Sequence, residues 1–221
     1  MHVNHVVSTK MINVLVIDAG LGNIGSVINA VERAGANVIT KRESKYINEE
    51  SISHIVLPGV GTYNQGMKSL NEKGWDTWIK ATTKERKIPI LGICLGMQLM
   101  SDNGSEGKET SENIEGLGLI GGTVEKITKK NLRLPHIGWN NVKWRLKGKE
   151  MEAAIGKETD YYFVHSYHFV ANKEENIIGT VDYGEEIVAA IKYNNIIGVQ
   201  FHPEKSQKAG AQLIKYFIGL T

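Results

Sequence analysis

Ile88-Pro89-Ile90-Leu91-Gly92-Ile93-Cys94-Leu95-Gly96-Met97-Gln98-Leu99 is the stretch from which the rest of the chain can be read. An apolar run ends on Cys94, and a helix begins straight after it. Such an unbroken run suits a strand buried on both faces, the kind found in parallel sheets covered by helices. Gly92 and Gly96 flank the cysteine at two residues on either side and let the backbone turn tightly. The pattern is that of a nucleophile elbow, with a strand entering, a helix leaving and the side chain lifted above the carboxyl edge of the sheet. It also puts Cys94 at a helix N-terminus, where free N–H groups and the helix dipole favour a thiolate. A lone cysteine is otherwise most often a small buried apolar residue, so the elbow needs chemical partners elsewhere.

Upstream, Ile12-Asn13-Val14-Leu15-Val16-Ile17 is a second buried strand, halted by Asp18 and Gly20. Ile24, Val27, Ile28, Val31 and Ala34 follow at helical spacing, closed by Gly35. Val38-Ile39 and His54-Ile55-Val56-Leu57 read as further strands, and residues 64–86 as helix interrupted near Gly74. This alternation predicts an α/β fold with a mostly parallel sheet and helices on both faces. Downstream the pattern changes. Residues 102–115 read as an exposed polar loop. Short strands are predicted at 119–127, 141–145, 160–164, 177–182, 187–192 and 196–201, with a hairpin turn at Asn194-Asn195. This portion is expected to be mainly antiparallel, and a helix over 207–219 closes the chain. One domain over 11–221 is the simplest account, with residues 1–10 a dispensable extension or an upstream start.

The bulk numbers fit. In 221 residues, 41% are hydrophobic and 23% charged, with a formal net charge of +2, which is ordinary for a soluble globular chain and argues for neither nucleic acid nor membrane. No basic block exceeds pairs such as Lys129-Lys130. One cysteine excludes an internal disulfide and a cysteine metal cluster. The first ten residues lack the pattern of a signal peptide, and no run of about 18 apolar residues is present, so a cytosolic protein is expected.

Two further motifs close predicted strands. Gln200-Phe201-His202-Pro203-Glu204 offers what a nucleophilic thiol requires, a histidine base with a carboxylate able to orient it. Pro203 stiffens the link between them. Taken alone, the pair could equally be a capping histidine and a solvated glutamate. Pro58-Gly59-Val60-Gly61 frees backbone N–H groups at a strand end, as an oxyanion hole needs, although the same residues also make a plain turn. Strand ends of a parallel sheet surround one crevice, so the three motifs converge.

Together they resemble the class I glutamine amidotransferases over residues 11–221. The stretches Asp18–Ser26, Leu57–Gly61, Pro135-His136-Ile137-Gly138-Trp139-Asn140, Phe163–Tyr167 and His202–Ser206 resemble, more narrowly, the glutaminase-subunit family of imidazole glycerol phosphate synthase. The resemblance implies a flavodoxin-like fold and hydrolysis of glutamine to glutamate and ammonia. The ammonia would pass to a (β/α)₈ synthase partner in a heterodimer of histidine biosynthesis. It implies Cys94 as nucleophile, His202 as base and Glu204 as its orienter. Gly59, Val60 and Gly61 would form the oxyanion strand. Gln98 and the His165-Ser166-Tyr167 backbone would hold glutamine, and Trp139, Asn140 and Lys205 would face the partner. No metal or organic cofactor is implied.

The sequence departs from this pattern in two places. Asp18-Ala19-Gly20 stands where the family has Asp-Tyr-Gly, and Gly25 where a basic residue is common. Gly25-Ser26 and Ser166-Tyr167-His168 resemble paralogues that supply ammonia for amidating a surface-polysaccharide sugar, which is the alternative reading. A nucleotide-binding protein is the rival from another class, because Gly20-Leu21-Gly22-Asn23-Ile24-Gly25 matches G-x-G-x-x-G and Glu43 follows at about the spacing of a ribose-binding acid. The chain lacks the second mononucleotide-binding half that this reading needs. A non-catalytic regulatory subunit would have no chemical need for Cys94, His202 and Glu204 together. His165 and His168, read on one strand, would point to opposite faces and so make a poor metal pair. Trp75 and Trp78 read as packing.

Overall fold

The computed structural model describes residues 11–22, 24–109, 112–128, 132–156 and 160–220. The proposed extension 1–10, Asn23 of the glycine motif and the Lys129-Lys130 pair lie outside them. The first half alternates as expected: β1 (Asn13–Ile17), α1 (Gly25–Arg33), β2 (Asn37–Lys41), β3 (His54–Gly59), α2 (Tyr63–Glu72), α3 (Trp75–Glu85), β4 (Ile90–Cys94) and α4 (Leu95–Gln98). The second half runs β5 (Asn103–Gly104), β6 (Ile114–Glu115), β7 (Gly122–Lys126), β8 (His136–Trp144), α5 (Lys149–Ile155), β9 (Asp160–His165), β10 (Tyr167–Ala171), β11 (Ile177–Asp182), β12 (Glu186–Tyr193), β13 (Ile196–Val199) and α6 (Gln207–Ile218).

Among the described residues, nine strands form one sheet in the order β2-β1-β3-β4-β13-β12-β11-β8-β9. The neighbours from β2 to β13 in that order are parallel, and the rest pair antiparallel. Side chains alternate across the sheet. Val14, Val16 and Val56 pack on one face with residues of α1 and α6, while Leu15, Ile17, Ile55 and Leu57 pack on the other with α2 and α3. A smaller sheet, β10-β7-β5-β6, covers part of that second face through Val124 and Phe169.

The register positions the site. Gly59 pairs with Cys94, and Val199 with Ile93. The ends of β3, β4 and β13 therefore lie side by side, which brings Gly59, Cys94 and the Gln200–Glu204 segment to one edge. Gly74, at φ 70°, divides the predicted long helix into α2 and α3. Trp75 is fully buried and donates through Nε1 to the Arg42 carbonyl at 3.0 Å, with its ring edge-on to Trp78, so both tryptophans pack as expected. Asn194, at φ 52°, turns the chain between β12 and β13. Among the described residues, no helix is long and apolar enough to cross a membrane.

Several expectations need correction. Residues 102–115 are not wholly loop, because they contribute β5 and β6 to the small sheet. The strand predicted at 141–145 begins at His136, and α5 was not predicted. The helix that leaves Cys94 is short, ending at Gln98. His165 and His168 do not share a strand. The chain breaks at Ser166, so His165 ends β9 in the large sheet while His168 lies on β10 in the small one.

Candidate active site

Cys94 ends β4 and caps α4 with φ 54° and ψ −111°. Positive φ on a non-glycine residue costs on the order of 1–3 kcal/mol and persists where the surroundings enforce it. The flanking glycines are enforced by contact. A Cβ on Gly96 would stand 1.8 Å from the Leu57 carbonyl oxygen, and one on Gly92 would stand 2.7 Å from the carbonyl oxygen of Gly96. A larger residue at position 96 would part the elbow from β3, and one at position 92 would part β4 from the turn and helix that follow Cys94.

His202 is buried and receives its orientation from both sides. Its Nδ1 donates to Glu204 Oε1 at 2.8 Å, which leaves Nε2 for the sulfur. The backbone is laced to β9: His202 N–H donates to the Tyr162 carbonyl at 2.9 Å, while Ser206 Oγ donates to the His202 carbonyl at 2.6 Å and accepts from Tyr162 N–H at 3.0 Å. Burial alone would lower the pKa of His202. The Cys94 sulfur and the Glu204 carboxylate outweigh it and hold the pKa at about 9. Nε2 makes no bond of ordinary length and angle, so the coupling to Cys94 is electrostatic proximity rather than a formed hydrogen bond. At neutral pH His202 carries a proton beside the Cys94 sulfur.

A cavity of about 220 Å³ opens over Cys94, lined among others by Val60, Gly61, Gln98, Glu106 and the His165–Tyr167 segment. Gln98 is buried, and its Nε2 donates to the Tyr167 carbonyl and to Gln200 Oε1, both at 2.9 Å. Glu106 Oε2 accepts from Tyr63 N–H at 3.2 Å, and burial pushes its carboxyl pKa up against that bond. His165 is almost wholly buried, and burial takes its pKa down to about 3, so it is neutral. Among the described residues, no group of three or more His, Cys, Asp or Glu is arranged to hold a metal ion.

The segment Gly59–Gly61 is engaged with a neighbouring loop. Gly59 lies beside Cys94, but Val60 N–H donates to the Leu21 carbonyl at 3.0 Å and does not point into the cavity. Gly22 explains this contact. At φ 99°, with a hypothetical Cβ only 2.3 Å from Val60 Cγ2, it lets the 18–22 loop close onto Val60. Gly22 of the glycine motif thus serves the packing of this loop against Val60, and Glu43 pairs with Lys45.

Trp139 is half exposed and edge-on to Tyr162, whose ring lies 5.7 Å from Lys205 Nζ. Ile137 and Val60 add exposed apolar surface. Asn140 is tied to its own chain, its Nδ2 donating to the Asp182 carbonyl at 3.0 Å.

Residues 15–219 match the family described as glutamine amidotransferase class-I. The chain belongs to this family. Curated class I amidotransferase relatives span nearly its whole length. Subunit HisH 1 of imidazole glycerol phosphate synthase from Prochlorococcus marinus is 43% identical over 211 residues, covering 94% of this chain and 97% of the relative. Its namesake from Campylobacter jejuni is 40% identical, covering 94% and 100%. Solved structures with the same fold include PurLQS from Thermotoga maritima, with a TM-score of 0.72, 18% identity and coverage of 94% and 97%. A glutamine amidotransferase from the same organism gives 0.65, 20% identity and coverage of 93% and 82%.

Of the residues expected at this site, Val60, Gly61, Cys94, Gln98, His165, Ser166 and Tyr167 line the cavity, Gly59 pairs with Cys94 behind it, and His202, held by Glu204, couples to the Cys94 sulfur from outside the lining. Besides Leu95 and Val164 of the cavity lining, three polar residues that share its walls or its hydrogen bonds do not stand out in the sequence as site residues. Glu106 sits in a polar tract without periodicity. Gln200 stands in the sequence only as part of the His202 motif. His136, buried, donates from Nδ1 to His165 Nε2 at 3.0 Å. Pairing the start of β8 with β9 would have found it, since His136 stands opposite His165.

Proposed function

We propose that Cys94, His202 and Glu204 form the catalytic triad of a glutaminase subunit of imidazole glycerol phosphate synthase, in one domain spanning residues 11–221. The observation that carries this is a buried histidine, oriented by a carboxylate, beside a cysteine on an elbow at the mouth of an amino-acid-sized cavity. The nearly full-length HisH relatives support the histidine pathway over the surface-sugar alternative.

The chemistry follows from the groups. The Cys94 sulfur attacks the side-chain amide carbon of glutamine, and His202 gives its proton to the departing nitrogen, releasing ammonia and leaving a thioester. His202 then takes a proton from water, which attacks the thioester and frees glutamate. Glu204 keeps the imidazole in one tautomer throughout. The substrate α-ammonium is matched by Glu106, and its backbone by Gln98 and the 165–167 segment. The developing oxyanion is stabilised by the N–H that follows the nucleophile, at Leu95, and by Val60 N–H once it leaves Leu21. Gly59 and Gly61 give the strand freedom to make that change. Trp139, with Asn140, Lys205 and the apolar Ile137, forms the face for a (β/α)₈ synthase partner in a cytosolic heterodimer.

The test is glutamate release from glutamine, measured for the chain alone and with the cognate synthase subunit and its nucleotide ligand. Strong stimulation by that partner is expected. Activity indifferent to it, but raised by a sugar-cluster partner, would reassign the pathway. No glutamate from any pairing of folded protein would refute the glutaminase reading.

A further inference from the structure

The Gln98 amide sits between two oxygens, the Tyr167 carbonyl and Gln200 Oε1, each 2.9 Å from its Nε2. A backbone carbonyl can only accept. Turning the Gln98 amide round would set two acceptors against each other, so its orientation is fixed without the usual ambiguity. That choice passes to the next amide. Gln200 must offer its oxygen to Gln98, and the group it presents to the Cys94 sulfur, 3.8 Å away, is therefore its Nε2–H. Turning Gln200 round would place N–H against N–H.

The start of this relay is also held in place. Tyr167 O accepts from His165 Nδ1 at 2.8 Å, which leaves His165 Nε2 to accept the His136 Nδ1–H. Gln98 and Gln200 are 4% and 0% exposed, so both amides act in a shielded environment. The sulfur is also coupled to His202, and it lies 4.0 Å from the Val164 carbonyl, an acceptor that suits the thiol and opposes the thiolate.

We propose that Gln200 is a further catalytic residue, whose side-chain N–H stabilises the Cys94 thiolate and whose polarity is locked by Gln98 and the Tyr167 carbonyl. The proposal rests on the thiolate nucleophile of the glutaminase reading but not on the identity of the substrate. The 3.8 Å separation is long for such a bond. Its loss should therefore cost about tenfold, the low end for a hydrogen bond to a charged group.

Cys94 is the single cysteine of the sequence, so alkylation by iodoacetamide reports on this sulfur alone. Gln200→Met keeps the side-chain length and removes the donor. Gln200→Glu keeps the shape and turns an oxygen toward the sulfur. At pH 7, alkylation should slow about tenfold in Gln200→Met and further in Gln200→Glu. The differences should close near pH 10.5, at about two units above the ordinary thiol pKa. In the assembled synthase, kcat for glutamine should fall with little change in KM, while ammonia-dependent synthesis holds. Equal alkylation rates at pH 7 in either variant that folds, or a slowing that persists undiminished at high pH, would overturn the proposal and leave Gln200 as packing. Alkylation that changes as expected in a protein unable to release glutamate from glutamine would keep the proposal and remove the glutaminase reading instead.

Discussion

Replacing Gly96 with alanine tests whether packing sets the elbow. The new Cβ would stand 1.8 Å from the Leu57 carbonyl oxygen, against an ordinary contact of 3.4 Å or more. Helix α4 and strand β3 must therefore part by about 1.6 Å. Leu57 is fully buried, in a strand hydrogen-bonded on both sides, so the helix is the part that yields, and Cys94 moves with it. A displacement of about 1 Å at a reacting group costs on the order of 100-fold in rate, and overpacking costs about 1–3 kcal/mol in stability. Glutamate release by the assembled synthase should fall at least about 100-fold, with a lowered thermal midpoint. Ammonia-dependent synthesis by the same complex should continue. Gly219→Ala, which meets nothing closer than 3.4 Å, is the control. A folded Gly96→Ala enzyme with more than about a tenth of wild-type glutamate release would refute the reasoning.

Cys94→Ala should abolish glutamate release while ammonia-driven synthesis survives in the complex, and loss of both in an intact complex would contradict that division of labour. Because His202 is held at about 9 against an ordinary 6.5, its stabilisation is fully present below about pH 6.5 and lost as pH rises through about 9. The thermal midpoint should fall across that window, and less so in Glu204→Gln; equal slopes would count against the pair. Glu106→Gln should raise KM for glutamine roughly ten- to a hundredfold with kcat less affected, and steady-state kinetics showing an unchanged KM would free Glu106 from substrate binding. Trp75→Ala, which empties a fully buried site and strands the Arg42 carbonyl, should cost about 3–5 kcal/mol in a denaturant titration, and a cost under about 1 kcal/mol would show that the site collapses.

The parts of the chain that could be read in advance are those where one physical demand acts alone. Strands β1, β3 and β4 are buried on both faces, so their sequences are continuous apolar runs. Cys94 and the His202–Glu204 pair were legible because strand ends of a parallel sheet converge. Strand β8 was half missed because its first residues alternate between buried His136 and exposed Ile137 and Trp139; the exposed apolar side chains break the period that marks a strand. Helix α5 buries only Met151 and Ile155, too few to register a period. Glu106 reaches the cavity through a bond to Tyr63, 43 positions away, and no local pattern encodes that approach. The engaged state of Val60 N–H depends on a loop closing from β1, which turn propensity at Gly59 and Gly61 does not reveal.

The solitary cysteine also has a consequence for oxidative chemistry. A thiolate that meets peroxide becomes a sulfenic acid, which a neighbouring thiol normally captures as a disulfide before oxidation goes further. This sequence has no second cysteine to do so. Repair must come from a small thiol small enough to enter the cavity over Cys94, and failing that the sulfur proceeds to the sulfinic state, from which this chain has no return. Occupancy of the cavity by substrate therefore guards the enzyme as well as feeding it.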